Sequence, residues 1–521
     1  MIDKFFENLS ELPFLSLLAD SKIGLEKEAL RVDKNGTISL KMHPSIFGSA
    51  LTNKYITTDY SESLIEVVTP PCDSHKEALN YLENILGFIY RGLDEEYLWP
   101  ASMPCIIAGD KSIPIAYYGT SNAARMKTTY RRGLGNRYGR VMQVISGIHF
   151  NYSFSNKFWE SYKDYKNKQT TIRDFKSEQY FCISRNLLRN DWLIAYLFGC
   201  SPAVCKSYLS GKKTKMESFD EYTYYERYAT SLRMGDIGYQ NNKEEDMGVH
   251  VDYNSLENYS NSLDKAIKTE SKEYQKIGVH SDGYYKQINA NTLQIENEYY
   301  SSVRPKSDSS LKTRPSVALK KSGVEYIELR SIDNNIFSNS GIDLCQMHFI
   351  ELLIIHSLFG GESEISENEY YDIKNNLKKV AHDGRNKKLK LKLAGKEIEI
   401  NLAVEKILIE IMKIAKILDK FSNTKKYQDC VKEQEKKLHN NDILPSNLVI
   451  NEMQNKNYSF YELCMDNIWK QKDYFHNMKE NKDIIRILEK ETGESILRRK
   501  KLEIDCKESY EDYINNYFSD Q

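Results

Sequence analysis

Two glutamates two residues apart, Glu26 and Glu28, stand in the run SKIGLEKEALR (21–31). The run reads as a β-strand, in which residues i and i+2 share a face. Glu26 and Glu28 then point the same way, about 7 Å apart by the strand rise. Gly24 lies on that side and leaves room above the strand, while Leu25, Lys27 and Ala29 take the other face. Neighbouring carboxylates repel unless a cation sits between them. One reading is a magnesium-type site, because hard cations take oxygen ligands. The other is a solvated strand face with its charges in water.

Further polar residues sit on strand-like runs. KYITTDYSESLIEVVT (54–69) is β-branched and carries Asp59, Glu62 and Glu66. RYGRVMQVISGIHFNYS (137–153) alternates toward a strand that ends with His149 and Asn151 on one face, and VEYIELRSI (324–332) puts Glu328 beside Arg330. Glu26, Glu28, Asp59, Glu66 and Glu328, with His149 and Arg330, would suit the mouth of a sheet that binds two or three divalent cations. Such a site matches nucleotide phosphates, because magnesium bridges phosphate oxygens and is held by few carboxylates per ion. Arg330 would neutralise charge on a transferring phosphoryl group. Asp59 and Glu66 are an odd number of residues apart, so both can be ligands only if a bulge or turn separates them. The chain contains no P-loop and no strand-linked G-x-G-x-x-G, so any ATP must be held by metals and basic side chains. There is no G-x-S-x-G nucleophile elbow and no H-E-x-x-H.

The elements expected to position this set are mostly strands, then mostly helices. DKNG (33–36) marks a turn between 30–32 and 37–40. Residues 74–97 read as a helix capped by Ser74 and Glu77. Residues 177–199 form another helix with an apolar stripe, and 284–300 read as a polar β-like run. From about 341 the pattern is helical over 341–359, 402–421, 425–440, 459–475 and 479–492, with one hairpin over 388–400 turning at Ala394-Gly395. These patterns predict a catalytic sheet core over 1–335 and a mainly helical part over 336–521, packed as one unit.

The chain has 521 residues, 40% of them hydrophobic, and a formal net charge of −1. That length and content fill a sizeable core, and the charge offers no bulk field for nucleic acid or an anionic membrane. The 37 tyrosines read as compositional bias. Nine scattered cysteines, with no C-x-x-C pair, argue against a disulfide scaffold or structural zinc site and predict a reducing, cytoplasmic setting. The N-terminal 20 residues read as an amphipathic helix rather than a signal peptide, and no apolar run is long enough to span a bilayer.

The runs GLEKEALRV (24–32), GSALTNKYITTDYSESLIE (48–66), WPASMPC (99–105), YGTSNAARMKTTYRRGL (118–134), NRYG (136–139), ISGIHFNYS (145–153), ATSLRMGDIGY (229–239), QINANTLQIENEYY (287–300), VRPK (303–306) and EYIELRSID (325–333) occur in this order. In these runs the chain resembles the short, monofunctional bacterial glutamate–cysteine ligases (γ-glutamylcysteine synthetases), most closely over the first two-thirds. The resemblance implies an α+β fold similar to the catalytic part of glutamine synthetase, a curved, mostly antiparallel sheet forming a funnel backed by helices. It implies ATP-dependent joining of the γ-carboxylate of L-glutamate to the amine of L-cysteine through a γ-glutamyl phosphate, the first step of glutathione synthesis. A ligase acting on a different amine is the alternative. It further implies metal ligands Glu26, Glu28, Asp59, Glu66, His149 and Glu328 for Mg²⁺ or Mn²⁺, and Arg330 and Glu328 in catalysis. The cysteine pocket would use Tyr60, Tyr130, Arg233, Tyr239 and Tyr300. Arg132, Arg304 and Lys306, with Arg131, are the cations expected to meet ATP phosphates or a substrate carboxylate. The partners expected are glutamate, cysteine and ATP, with no nucleic acid or membrane, and a monomer.

Overall fold

A computed structural model describes residues 12, 14–104, 106–209, 213–238, 249–281, 283–307 and 313–519. Most of the N-terminal segment expected as an amphipathic helix, and Tyr239 and Cys105, fall outside them.

The main sheet has seven strands: β1 Ser21–Val32, β2 Ile56–Thr58, β3 Leu64–Val68, β4 Tyr97–Leu98, β5 Ile148–Phe154, β6 Val303–Lys306 and β7 Tyr326–Ile332. They run in the order β6-β7-β5-β1-β3-β2, with β4 on the end of β1, and every pairing is antiparallel. The sheet is open and backed by helices, so the expected architecture holds.

Period-two alternation sorts the two faces. Leu25, Ala29, Phe150, Tyr152, Ile327 and Leu329 are buried on the back, against residues such as Ile183, Leu187, Ile350, Leu353 and Ile354. The last five belong to helices α3 (Ile172–Phe198) and α4 (Leu344–Phe359). α4 is buried almost all round, as its largely apolar sequence requires. Lys27 also faces the back. Its Nζ donates to Asn334 Oδ1 at 2.9 Å, and burial pushes the ammonium down to about 7.

α2 (Asn122–Tyr138) frames the front, while α1 (His75–Gly92) packs on the back, where Ala78, Leu82 and Ile85 share the core cluster with Leu25 and Phe150. The Ser74 hydroxyl accepts from Glu77 N as predicted, but α1 stops at Gly92, short of 97. The helical part supplies α5 (Ile400–Ser422), α6 (Lys426–His439), α7 (Phe460–Asn477), α8 (Lys482–Ile504) and α9 (Tyr510–Phe518). The hairpin Lys390–Leu393 with Lys396–Glu399 turns at Ala394 and Gly395, both at positive φ, as the turn residues require. Residues of α4, α5 and α6 share one core cluster with β1, β5 and β7.

Three expectations fail locally. Residues 137–147 are not strand: α2 ends at Tyr138, a 3₁₀ turn covers Val141–Val144, and β5 starts at Ile148. The run 284–300 is mostly irregular, because its amides bond locally. Gln294 Oε1 accepts from Ile288 N, and Asn289 Nδ2 donates to Gln294 O. Against the expectation of a reducing setting, Cys205 is disulfide-bonded, while the other seven cysteines among the described residues are free.

Candidate active site

β1, β3, β5 and β7 bring their front-face polar residues together. In the β1–β3 register Glu28 faces Glu66 directly, in the β1–β5 register Glu26 faces His149, and in the β5–β7 register Asn151 faces Glu328. Like charges directly opposite one another destabilise a sheet. A bound cation would relieve the pairing of Glu28 with Glu66. Asp59 joins them because β2 ends at Thr58 and a turn precedes β3, the interruption that the odd spacing demanded.

His149 is the hub. Its Nδ1 lies 3.0 Å from Glu26 Oε2 and 3.3 Å from Glu328 Oε1, and its Nε2 lies 3.7 Å from Glu28 Oε1. Asn151 Nδ2 donates to Glu26 Oε1 at 2.8 Å, and Gly147 N donates to Glu28 Oε2 at 2.9 Å. Lys306 Nζ stands 3.4 Å from Glu328 Oε2, which is buried and makes no hydrogen bond among the described residues. Burial opposes charge on His149, but the hydrogen bonds to Glu26 and Glu328 outweigh it and raise the imidazole to about 10. Burial also opposes charge on Glu328, and Lys306, Arg330 and His149 overcome it, holding that carboxyl well below its usual range. Glu66 goes the other way. Burial, then the charges of Glu26, Asp59 and Glu28, push it up to about 8.

β7 carries a bulge at this point: Leu329 pairs with Phe150 and Ile332 with Ile148, three steps against two. The extra residue re-aims Arg330, whose N–H donates to Ser302 O at 2.7 Å. Its guanidinium lies 5.8 Å from the centre of the Tyr300 ring. Arg233 Nη2 donates to Arg330 O at 2.7 Å and Nη1 approaches Asp333 Oδ1 at 3.7 Å, so the two arginines are set side by side.

A cavity of about 380 Å³ opens on this set. Glu26, Glu28, Asp59, Glu66, His149, Glu328, Arg330, Tyr60, Tyr130, Arg233, Tyr300, Arg304 and Lys306 all line it. The Tyr60 hydroxyl is buried without a hydrogen-bond partner among the described residues. Arg132 is not in the lining. Its Nη1 donates to Tyr285 O at 2.5 Å and its guanidinium lies over Tyr284. The neighbouring Arg131 lines the cavity, with Nη2 3.8 Å from Asp59 Oδ1. Glu62 is structural, accepting from His43 N and Tyr117 N. The sequence reading missed Lys127, which lines the cavity and is pushed down to about 8 by burial, then by Arg131. Lys127, Arg131 and Leu134 share one face of α2 at helical spacing, a signal that was present in the sequence.

The donor set fits hard divalent cations. Glu26, Glu66 and His149 offer ligand atoms within 4.8 Å of one another, and Glu28 and Glu328 contact the same imidazole. No described helix is long and apolar enough to cross a membrane.

The glutamate–cysteine ligase family model matches residues 6–380. Glutamate–cysteine ligases of Alcanivorax borkumensis and Pseudomonas paraeruginosa are each 38% identical to this chain. The first alignment covers 96% of both chains, and the second covers 96% of this chain and 95% of the relative. The similarity therefore runs on through the helical part, beyond the two-thirds where the motifs are densest. The crystal structure of the Francisella tularensis glutamate–cysteine ligase in complex with AMP superposes with a TM-score of 0.89 at 33% identity, covering 96% of this chain and 97% of that one. A bifunctional glutathione synthetase from Pasteurella multocida shares the fold, with a TM-score of 0.68 at 24% identity over 90% of this chain and 53% of its own. On the match of its sequence and its fold, the chain belongs to the glutamate–cysteine ligase family.

Proposed function

We propose that this site makes γ-glutamylcysteine from L-glutamate, L-cysteine and ATP, with ADP and phosphate as the other products. The observation that carries the reading is the convergence of five carboxylates, His149 and Arg330 in one cavity of a chain from this family. Glu26, Glu28, Asp59, Glu66, His149 and Glu328 would hold Mg²⁺ or Mn²⁺. Bound there, the ions would neutralise phosphate oxygens and polarise the γ-phosphoryl group.

A carboxylate is a poor electrophile, so the glutamate γ-carboxylate must be activated. Its oxygen takes the γ-phosphoryl group of ATP, and ADP leaves. Arg330, re-aimed by the bulge, and Lys306, beside Glu328, are placed to offset negative charge in that transfer. The cysteine amine then attacks the acyl carbon, the C–O bond to phosphate breaks, and the amine loses a proton. Arg233, Tyr60, Tyr130 and Tyr300 form the end of the cavity suited to an amino-acid substrate, one cation among aromatic rings. Tyr239 belongs to the same proposal through its motif, five residues after Met234. Residues 1–335 act in this reading as the catalytic sheet part and 336–521 as a helical part packed on it, in a soluble monomer.

An amine screen read by ADP release tests the proposal. ADP should form with glutamate and cysteine in the presence of Mg²⁺ and stop when the ion is chelated. It should not form when alanine, serine or ethanolamine replaces cysteine. Equal turnover with one of those amines would move the chain to the alternative, a glutamate ligase for another amine.

A further inference from the structure

A cavity of about 400 Å³, separate from the one on the front of the sheet, lies between residues 225–229 and the helix over Pro445–Lys456. Tyr225, Tyr228, Arg385, Asn441, Asn447 and Asn451 are among its walls. Arg385 is the unusual member. It is 7% exposed, and its Nε donates to Ala229 O at 3.0 Å, its Nη2 to Arg227 O at 2.8 Å and its Nη1 to Asn447 Oδ1. All three acceptors are neutral. No carboxylate pairs with this guanidinium among the described residues, and burial pushes it down to about 10.

Buried charges are ordinarily paired, because a neutral acceptor offsets only part of the cost of taking an ion out of water. Other buried arginines of this chain follow the rule: Arg31 pairs with Glu96 at 2.8 Å and Arg137 with Glu298 at 2.9 Å. Arg185 instead gives four N–H groups to main-chain carbonyls. A guanidinium carries five N–H donors in a planar fork. Arg385 uses three, which leaves one on each terminal nitrogen without an acceptor among the described residues. Two such N–H groups match the two oxygens of a carboxylate. The acidic residues on the same walls are engaged elsewhere: Asp442 Oδ1 accepts from Asn447 Nδ2 at 3.0 Å, and Glu217 Oε2 from Tyr225 Oη at 3.3 Å. Asn441 Nδ2 donates to Arg385 O at 3.1 Å, but its Oδ1 is buried with no hydrogen-bond partner among the described residues. That oxygen is an acceptor open to an N–H or O–H.

We propose that this cavity binds a small carboxylate that also carries a hydroxyl or amino group, with the carboxylate on Arg385 and the second group donating to Asn441 Oδ1. The same arginine holds the chain that leads to the front cavity. Arg385 N donates to Tyr228 O at 3.0 Å, so the successive carbonyls of Arg227, Tyr228 and Ala229 all hang on one residue. The segment continues through Thr230 and Ser231, whose N–H groups donate to Ala381 O at 2.9 and 3.2 Å, to Arg233 in the front cavity. A ligand that fixes the guanidinium therefore braces the backbone running into Arg233. The binding site stands on its own geometry, whereas the bracing rests on the ligase reading, in which Arg233 meets an amino-acid substrate.

The test uses the full chain without divalent cations, so that no metal in the front cavity takes up the carboxylate. Binding of glycolate is followed by saturation-transfer NMR, with chloride at equal ionic strength as the control. Glycolate should bind the parent saturably, and acetate, which lacks the hydroxyl, about threefold more weakly. Asn447→Asp gives Arg385 a permanent carboxylate partner, so it should weaken glycolate about tenfold and raise the thermal midpoint. Asn451→Asp, one turn along the same helix, charges the wall and should weaken glycolate about threefold. It decides the matter should Asn447→Asp fail to fold. Glycolate binding unchanged within twofold in the folded variants overturns the site, and so does a signal that chloride abolishes. Acetate binding as tightly as glycolate removes the contact to Asn441. The bracing is read by ADP release: glycolate should lower the glutamate or cysteine KM about twofold in the parent, and Asn447→Asp should show the lower value without ligand. KM values that bound glycolate leaves untouched overturn the bracing alone. A parent that binds glycolate but releases no ADP with glutamate, cysteine and Mg-ATP sinks the ligase reading and leaves the site standing.

Discussion

Two buried polar clusters lie back to back on the same strands, and they are built on opposite principles. On the front of β1 and β5, Glu26, Glu28, Glu66 and Glu328 crowd around one imidazole, and the Glu328 Oε2 atom is buried without a hydrogen bond among the described residues. On the back, a single carboxylate, Glu351 of α4, is enclosed by neutral groups. It accepts from Ser21 Oγ at 3.3 Å, Tyr152 Oη at 3.1 Å and Tyr427 Oη at 2.6 Å. His75 Nε2 is 3.3 Å away, and burial keeps that imidazole neutral by pushing it down to about 3. His348 packs on the His75 ring and is likewise pushed down to about 3 by burial, then by His75. Both Glu351 oxygens accept from hydroxyls, and the cluster joins the sheet to α4 and α6. In the front cluster Glu28 faces Glu66 and four carboxylates share one imidazole, a crowding of like charge that a bound cation would relieve. Burial of polar groups alone does not mark a site; charge imbalance does.

This contrast should separate activity from stability. The largest effect is expected from Glu328→Gln, which keeps the shape and removes the charge. ADP release should fall by roughly a thousandfold or more, as when an interaction specific to the transition state is lost, while the thermal midpoint stays close to that of the parent. Full activity in this variant would remove Glu328 from the metal set. Arg330→Ala comes next. Here kcat should drop by roughly a hundredfold with little change in the cysteine KM, the signature of lost charge stabilisation at the phosphoryl group. If only the cysteine KM moved, Arg330 would belong to the amino-acid end with Arg233.

Glu351→Ala probes the other face. Three hydroxyls lose their shared acceptor, so stability should fall by about 2 kcal/mol in denaturant unfolding, the scale of stranding buried donors. The kcat of the remaining folded enzyme should be unchanged. Loss of turnover without loss of stability would mean the back cluster tunes the site through β1 and β5.

The front cluster was legible because strands announce their faces. Glu26 with Glu28, His149 with Asn151, and Glu328 fall at period-two positions, and the odd spacing of Asp59 and Glu66 correctly demanded the turn between β2 and β3. What was not legible came from helices and local amide chemistry. Arg131 and Arg132 are adjacent in sequence, and a helix turns them about 100° apart, so only one faces the cavity. Without α2 drawn first, the pair could not be split, and Lys127 went unseen. The 284–300 run alternates like a strand, yet Gln294 and Asn289 satisfy the backbone themselves. Tyr513 and Tyr517 line the front cavity only because of where α9 docks, and nothing within its own run encodes that.

The smallest effect is expected where the loop bearing Arg233 is anchored to the helix over Glu367–Asp383. His382 lies between two carboxylates, with Nδ1 2.7 Å from Glu226 Oε2 and Nε2 3.1 Å from Asp236 Oδ1, while Lys378 Nζ bonds Asp236 Oδ2 at 2.7 Å. Burial and Lys378 disfavour the imidazolium, but the bond to Glu226 and the two carboxylate charges outweigh them and raise His382 above its ordinary value. A group whose pKa rises on folding contributes fully at pH below its unfolded value, about 6.5 for histidine. That contribution fades as pH climbs through the higher folded value. The stability margin of the parent over His382→Gln should therefore be widest near pH 6 and shrink on the alkaline side, by about 0.5 kcal/mol in all for a partly exposed cluster. Because Asp236 follows Arg233 by three residues, the same variant should raise the glutamate or cysteine KM slightly at pH 6 and less at pH 9. A margin that widened with pH would show that His382 is held neutral, and that the loop is anchored by Lys378 and Asp236 alone.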